Sequence, residues 1–108
     1  MALHESNNAV AVTATSQFIR FNAIHQSVNF VDDDAANACY VKVWQEGELP
    51  ADGTGATITT TTQGVRKILF GESWTVTWDN TAEIGSGYVG FSVIAGGGLT
   101  ATMRFFAK

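Results

Sequence analysis

No window of this chain carries a helical stripe longer than about one turn, whereas two-residue alternation of apolar and polar side chains returns along its whole length. Successive side chains of a strand point to opposite faces, so this period marks strands. Trp74-Thr75-Val76-Thr77-Trp78 is the clearest case, with both tryptophans and Val76 on one parity and the threonines on the other. Cys39-Tyr40-Val41-Lys42-Val43-Trp44 reads with Cys39, Val41 and Val43 inward and Tyr40, Lys42 and Trp44 outward. In residues 9–22 the apolar parity changes from Val10, Val12 and Ala14 to Ile19 and Phe21, which predicts two short strands or one bulged near Ser16. Val28 and Phe30 mark a strand over Ser27–Val31, stopped by Asp32-Asp33-Asp34, with room for a turn from Asp33 to Ala38.

Pro50, Asp52-Gly53 and Gly55 predict a long loop or two tight turns over residues 45–56. The run Thr57-Ile58-Thr59-Thr60-Thr61-Thr62 is β-branched throughout, which penalises helix, and with Ile58 alone strongly apolar it reads as an edge or exposed strand. Val65–Phe70 follows with Ile68 and Phe70 aligned before Gly71. Tyr88–Ile94 sets Val89, Phe91 and Val93 on one side, and after Gly96-Gly97-Gly98 the residues Leu99, Ala101, Met103 and Phe105 share a face. About seven to nine short strands so closely spaced leave no room for helical crossovers, so they pair antiparallel. The expected fold is all-β, an antiparallel β-sandwich of jelly-roll or Greek-key type. Residues 9–108 form its single domain and residues 1–8 a polar N-terminal arm.

The balance of 6 Lys+Arg against 10 Asp+Glu gives a net charge of −4, a poor match for nucleic acid or an anionic membrane surface. Residues 1–8 lack the basic start and apolar run of a secretory signal, and glycines break the uncharged stretch Ile84–Met103, so neither signal peptide nor membrane span is expected. Synthesis in the cytoplasm follows. With 45% hydrophobic and only 15% charged residues, the chain holds more apolar surface than one small core hides. That surplus predicts association: a homo-oligomer, a trimer among the closed forms, or docking on a larger protein scaffold.

Chemistry-bearing patterns are few. Asp32-Asp33-Asp34 lacks the spacing of a calcium loop and reads as a solvated turn. His4, His25 and Cys39 have no zinc spacing. Cys39 sits at an apolar position of its strand, a buried thiol rather than a partner for His25 in catalysis. Gly71-Glu72-Ser73-Trp74 lacks the second glycine of a nucleophile elbow, and the 96–98 glycines precede a strand rather than a helix. No catalytic residue, metal or cofactor is therefore expected, and the chain reads as no enzyme. Trp74 and Trp78 share parity with Val76 and belong to the core. Tyr40 and Trp44 on either side of Lys42, together with Tyr88, are the surface candidates. They suit a protein contact, a partly buried structural role, or a platform on which a sugar ring stacks.

The segment Leu69-Phe70-Gly71-Glu72-Ser73-Trp74-Thr75-Val76, following a Thr/Gly-rich stretch, resembles the small all-β structural proteins of tailed bacteriophages. The short polar N-terminus, the Cys39-Tyr40-Val41-Lys42-Val43 strand and the C-terminal strand share that character. The resemblance implies a virion protein of capsid-decoration, head-fibre or related accessory type, self-associating and docking on a coat or tail scaffold. A lectin-like module is the alternative.

Overall fold

The computed structural model describes residues 8–34, 37–49, 54–78, 87–96 and 99–107. Among these lie eight strands: β1 (Asn8–Val12), β2 (Gln17–His25), β3 (Ser27–Asp32), β4 (Cys39–Gln45), β5 (Arg66–Ile68), β6 (Ser73–Thr77), β7 (Tyr88–Ala95) and β8 (Ala101–Ala107). They form two four-stranded antiparallel sheets, ordered β1-β8-β3-β6 and β2-β7-β4-β5. First pairs with eighth, second with seventh, third with sixth and fourth with fifth, as in one long hairpin. Lateral pairing of β3 with β8 and of β4 with β7 closes that hairpin into a jelly roll. No helix among the described residues is long and apolar enough to cross a membrane.

The change of parity in residues 9–22 is the chain passing between sheets: β1 lies in one and β2 in the other. Val10, Val12, Val28, Phe30, Met103 and Phe105 fill the space between the sheets from the first, and Phe21, Cys39, Val41, Ile68, Phe91 and Val93 from the second. Phe91 stands edge-on to both Phe30 and Phe105, with ring centres 4.9 Å apart in each pair. Edge-to-face contacts of this kind add roughly 0.5–1.5 kcal/mol each beyond the area they bury. Trp74, Val76 and Trp78 face the same core and are half-buried there, because β6 is an edge strand.

A second apolar layer lies on the outer face of the second sheet. Trp44, Ala56, Ile58, Val89 and Ile94 are buried together, with Phe18, Tyr40, Leu49 and Val65 packed against them. The connection between β4 and β5 thus covers the sheet instead of looping into solvent. The Thr57–Thr62 run is accordingly no strand. Thr59 N–H donates to Thr62 Oγ1 at 2.8 Å and Thr62 N–H to the Thr59 carbonyl at 3.3 Å, closing a turn. Threonine hydroxyls offer the backbone this alternative to a ladder. Ser92, buried in β7, accepts from Trp44 Nε1 at 2.8 Å and donates to the Ala56 carbonyl, tying sheet to cover. Much of the apolar surplus is therefore internal.

Three further expectations need correction. Val89 does not share a side with Phe91 and Val93: Trp44 pairs with Gly90 and Gln45 with Tyr88, so Val89 is the extra residue of a bulge and turns to the cover. Gly90 is required there, since a Cβ would collide with the Ile19 carbonyl oxygen. Leu99, ahead of β8, is 49% exposed instead of sharing its buried face. Asn8, assigned to the arm, is already in β1 opposite Phe105, while residues 1–7 fall outside the described residues, as do Pro50, Asp52-Gly53 and Gly97-Gly98.

Candidate functional site

Tyr40, Lys42, Trp44 and Tyr88 do not form one platform. Trp44 is only 8% exposed, under the cover with its indole N–H on Ser92. Lys42 lies across it, Nζ 4.5 Å from the ring centre, and donates to the Gln63 carbonyl at 2.9 Å. Tyr88 is buried because the bulge turns it into the sandwich, where it meets Trp78 edge-on at 5.8 Å and donates its hydroxyl to the Thr77 carbonyl at 3.2 Å. Trp44 keeps its outward direction but lies under the cover, and Tyr88 faces the core, so neither is a surface residue. Tyr40 lines a pocket.

That pocket, about 360 Å³, lies at one tip of the sandwich and is lined by Asn37, Ala38, Tyr40, Lys67, Leu69, Phe70, Gly96 and Leu99. Its rim carries three of the large exposed apolar residues, Leu69 at 51%, Phe70 at 59% and Leu99 at 49%. The alignment of Phe70 with Ile68 fails because β5 ends at Ile68 and a turn begins at Leu69. Glu72 N–H donates to the Leu69 carbonyl at 2.9 Å, and Gly71 takes φ +75° at the third turn position, where L side chains are strained. The Glu72 carboxylate accepts from Leu69 N–H at 3.0 Å, and Gly71 N–H donates to the Asp32 carbonyl at 3.1 Å. Phe70 is therefore presented by a braced turn. On the pocket's other side a Cβ on Gly96 would stand 3.1 Å from the Tyr40 ring, while Lys67 Nζ lies 5.8 Å from its centre. Asn37 donates its side-chain N–H to the Thr100 carbonyl at 2.7 Å, fixing the remaining wall.

The acidic run beside this tip is a solvated turn only in part: Asp33 is exposed, Asp34 half-buried and Asp32 buried. Asp32 continues the inward face of β3 and is 1% exposed. Its Oδ1 accepts from Asp34 N–H at 2.8 Å, while Oδ2 has no hydrogen-bond partner. Burial pushes its carboxyl above the ordinary value. Asp33 pairs with Arg104, and Asp34 accepts from Asn37 N–H at 2.7 Å, so the three carboxylates serve three separate bonds. Among the described residues no group of three His, Cys, Asp or Glu side chains is placed to hold a metal ion. Cys39 is fully buried, and desolvation first, then the nearby Asp32, push its thiol up to about 12. It stays a protonated thiol. His25 is buried edge-on to Phe21 at 5.2 Å.

Comparison with protein-family models and with curated proteins finds no match. The jelly roll defines the architectural class, and the tip is the feature of this chain from which a role must be argued.

Proposed function

We propose that the chain is a non-enzymatic assembly module that associates with itself and docks on a larger protein scaffold, with the Leu69-Phe70-Leu99 tip as the docking point. The observation carrying this reading is the braced turn: an aromatic ring 59% exposed beside a pocket is costly unless something covers it. A rigid apolar anchor also loses little side-chain freedom on binding. The virion setting, with a coat or tail scaffold as partner, is what the resemblance to phage accessory proteins adds, and jelly rolls serve in viral coats.

The lectin-like alternative draws support from Tyr40 and Phe70 lying beside Asn37 and Lys67 in one pocket. Assembly is favoured because Gly96 and Lys67 bracket the Tyr40 ring, which leaves Phe70 as the one freely exposed aromatic ring between Leu69 and Leu99. Light scattering behind a sizing column, across a concentration series, is expected to show mass above the monomer. An apolar fluorescent dye is expected to bind, and Phe70→Ser to lose most of that signal while changing stability by no more than about 0.5 kcal/mol. A clean monomer that binds no dye would overturn this reading, and binding on a glycan array, lost in F70S, would replace it with the lectin.

A further inference from the structure

We infer that β6 is a self-pairing edge through which two copies of this chain join their first sheets about a two-fold axis at Thr75. The inference deepens the self-association half of the proposed function and needs nothing from the Phe70 tip.

A sheet edge presents unpaired N–H and C=O groups, and proteins guard such edges with charges, bulges, short strands or side-chain caps. Three of the four edges here are guarded. β5 has three residues, two of them the exposed Arg66 and Lys67. β2 is broken by a register shift between Arg20 and His25. On β1, Gln17 Nε2 caps the Ala11 carbonyl at 2.7 Å. β6 has five residues, Ser73-Trp74-Thr75-Val76-Thr77, with no charge, proline or register shift, and no described strand lies beyond it.

The ladder shows which groups point outward. Trp78 N–H donates to the Gln26 carbonyl at 2.7 Å and Asp32 N–H to the Glu72 carbonyl at 3.3 Å. Antiparallel pairing alternates, so Glu72, Trp74, Val76 and Trp78 bond inward to β3, and the backbones of Ser73, Thr75 and Thr77 face out. The Thr77 carbonyl already accepts from the Tyr88 hydroxyl and keeps a second lone pair.

A two-fold axis through Thr75 sets these three residues against the same three of a second copy. Thr75 meets Thr75, and Ser73 meets Thr77, each as a hydrogen-bonded pair. Trp74, with Arg66 of its own chain 5.3 Å from its ring centre, then lies beside Val76 of the second copy on the core-facing side, and Glu72 lies opposite Trp78, so no like charges of the two strands themselves are paired. The axis at Thr75 is the one that pairs all three outward residues at once, and this self-matching favours a second copy over a foreign strand as the occupant.

The test uses cysteine variants of the full chain, because a hydrogen-bonded antiparallel pair holds its Cα atoms about 5.5 Å apart, within disulfide range. Thr75→Cys brings two thiols together across the axis, whereas Thr77→Cys faces Ser73 and serves as the register control. Cys39, buried, does not compete. On mild oxidation T75C is expected to give several-fold more disulfide-linked dimer than T77C. Thr75→Lys, whose side chain is exposed, is expected to weaken the dimer about tenfold or more by setting two ammonium groups against each other. Equal cross-linking of T75C and T77C, with T75K associating as the wild type does, overturns the pairing and leaves self-association to another surface. A wild type monomeric at every concentration, with no T75C bridge, overturns both.

Discussion

A carboxyl group shut away from water favours its protonated form, and Asp32 is such a group, 1% exposed with one oxygen lacking a hydrogen-bond partner. Raised above its ordinary 3.8, it holds a proton in the folded chain at pH values where the unfolded chain has released it. Stability contributed by this residue is therefore full below 3.8 and falls as pH rises through the folded value, the reverse of a salt-bridged aspartate. Asp32→Asn keeps an oxygen for the Asp34 N–H and cannot ionise. Urea unfolding from about pH 3 to about pH 7 is expected to show the wild type losing stability relative to D32N, and a difference flat in pH would refute the assignment. Asp32 shares parity with Val28 and Phe30, so the alternation already pointed it inward. Reading Asp32 with Asp33 and Asp34 as one solvated turn let composition override position at that residue, while Asp33 is exposed as expected.

At the scale of elements, the second apolar layer decides where the outward face of β4 goes. Tyr40, Lys42 and Trp44 do point away from the sandwich core, as the alternation indicates, but that side is roofed by the chain from Gly55 to Val65. The signal lay elsewhere: after Tyr88, the strand to Ala95 has Ser92 as its one polar side chain, the mark of a strand buried on both faces. The threonine run hid the roof, because β-branched residues favour strands unless their hydroxyls close turns of their own. Ile58 anchors the roof at 1% exposure. Ile58→Ala is expected to cost about 2–5 kcal/mol in urea unfolding, whereas Thr57→Ala, on the exposed neighbour, should stay within about 0.5 kcal/mol. Equal effects would mean the cover contributes nothing.

For the whole molecule, nested pairing places the most distant parts of the chain side by side, with β1 on β8 and β2 on β7. Most of the ladder forms only after long loops close, so folding should take milliseconds to seconds despite the small size. Stopped-flow refolding followed by tryptophan fluorescence checks this, and microsecond folding would contradict the topology. Strand number and antiparallel pairing were legible from local alternation; strand order was not, because nothing in a strand's own residues names its neighbour. The same nesting makes the molecule polar along β8. Its Ala101 end lies with Leu99 at the apolar tip, and its Ala107 end, about 20 Å away at ~3.3 Å per residue, lies beside the start of β1. A tether leaving from either Asn8 or Ala107 thus departs from the far end. A molecule held on a surface through Asn8 or Ala107 stands with Phe70 facing the solution, the orientation in which a sensor chip or a particle coat would present it.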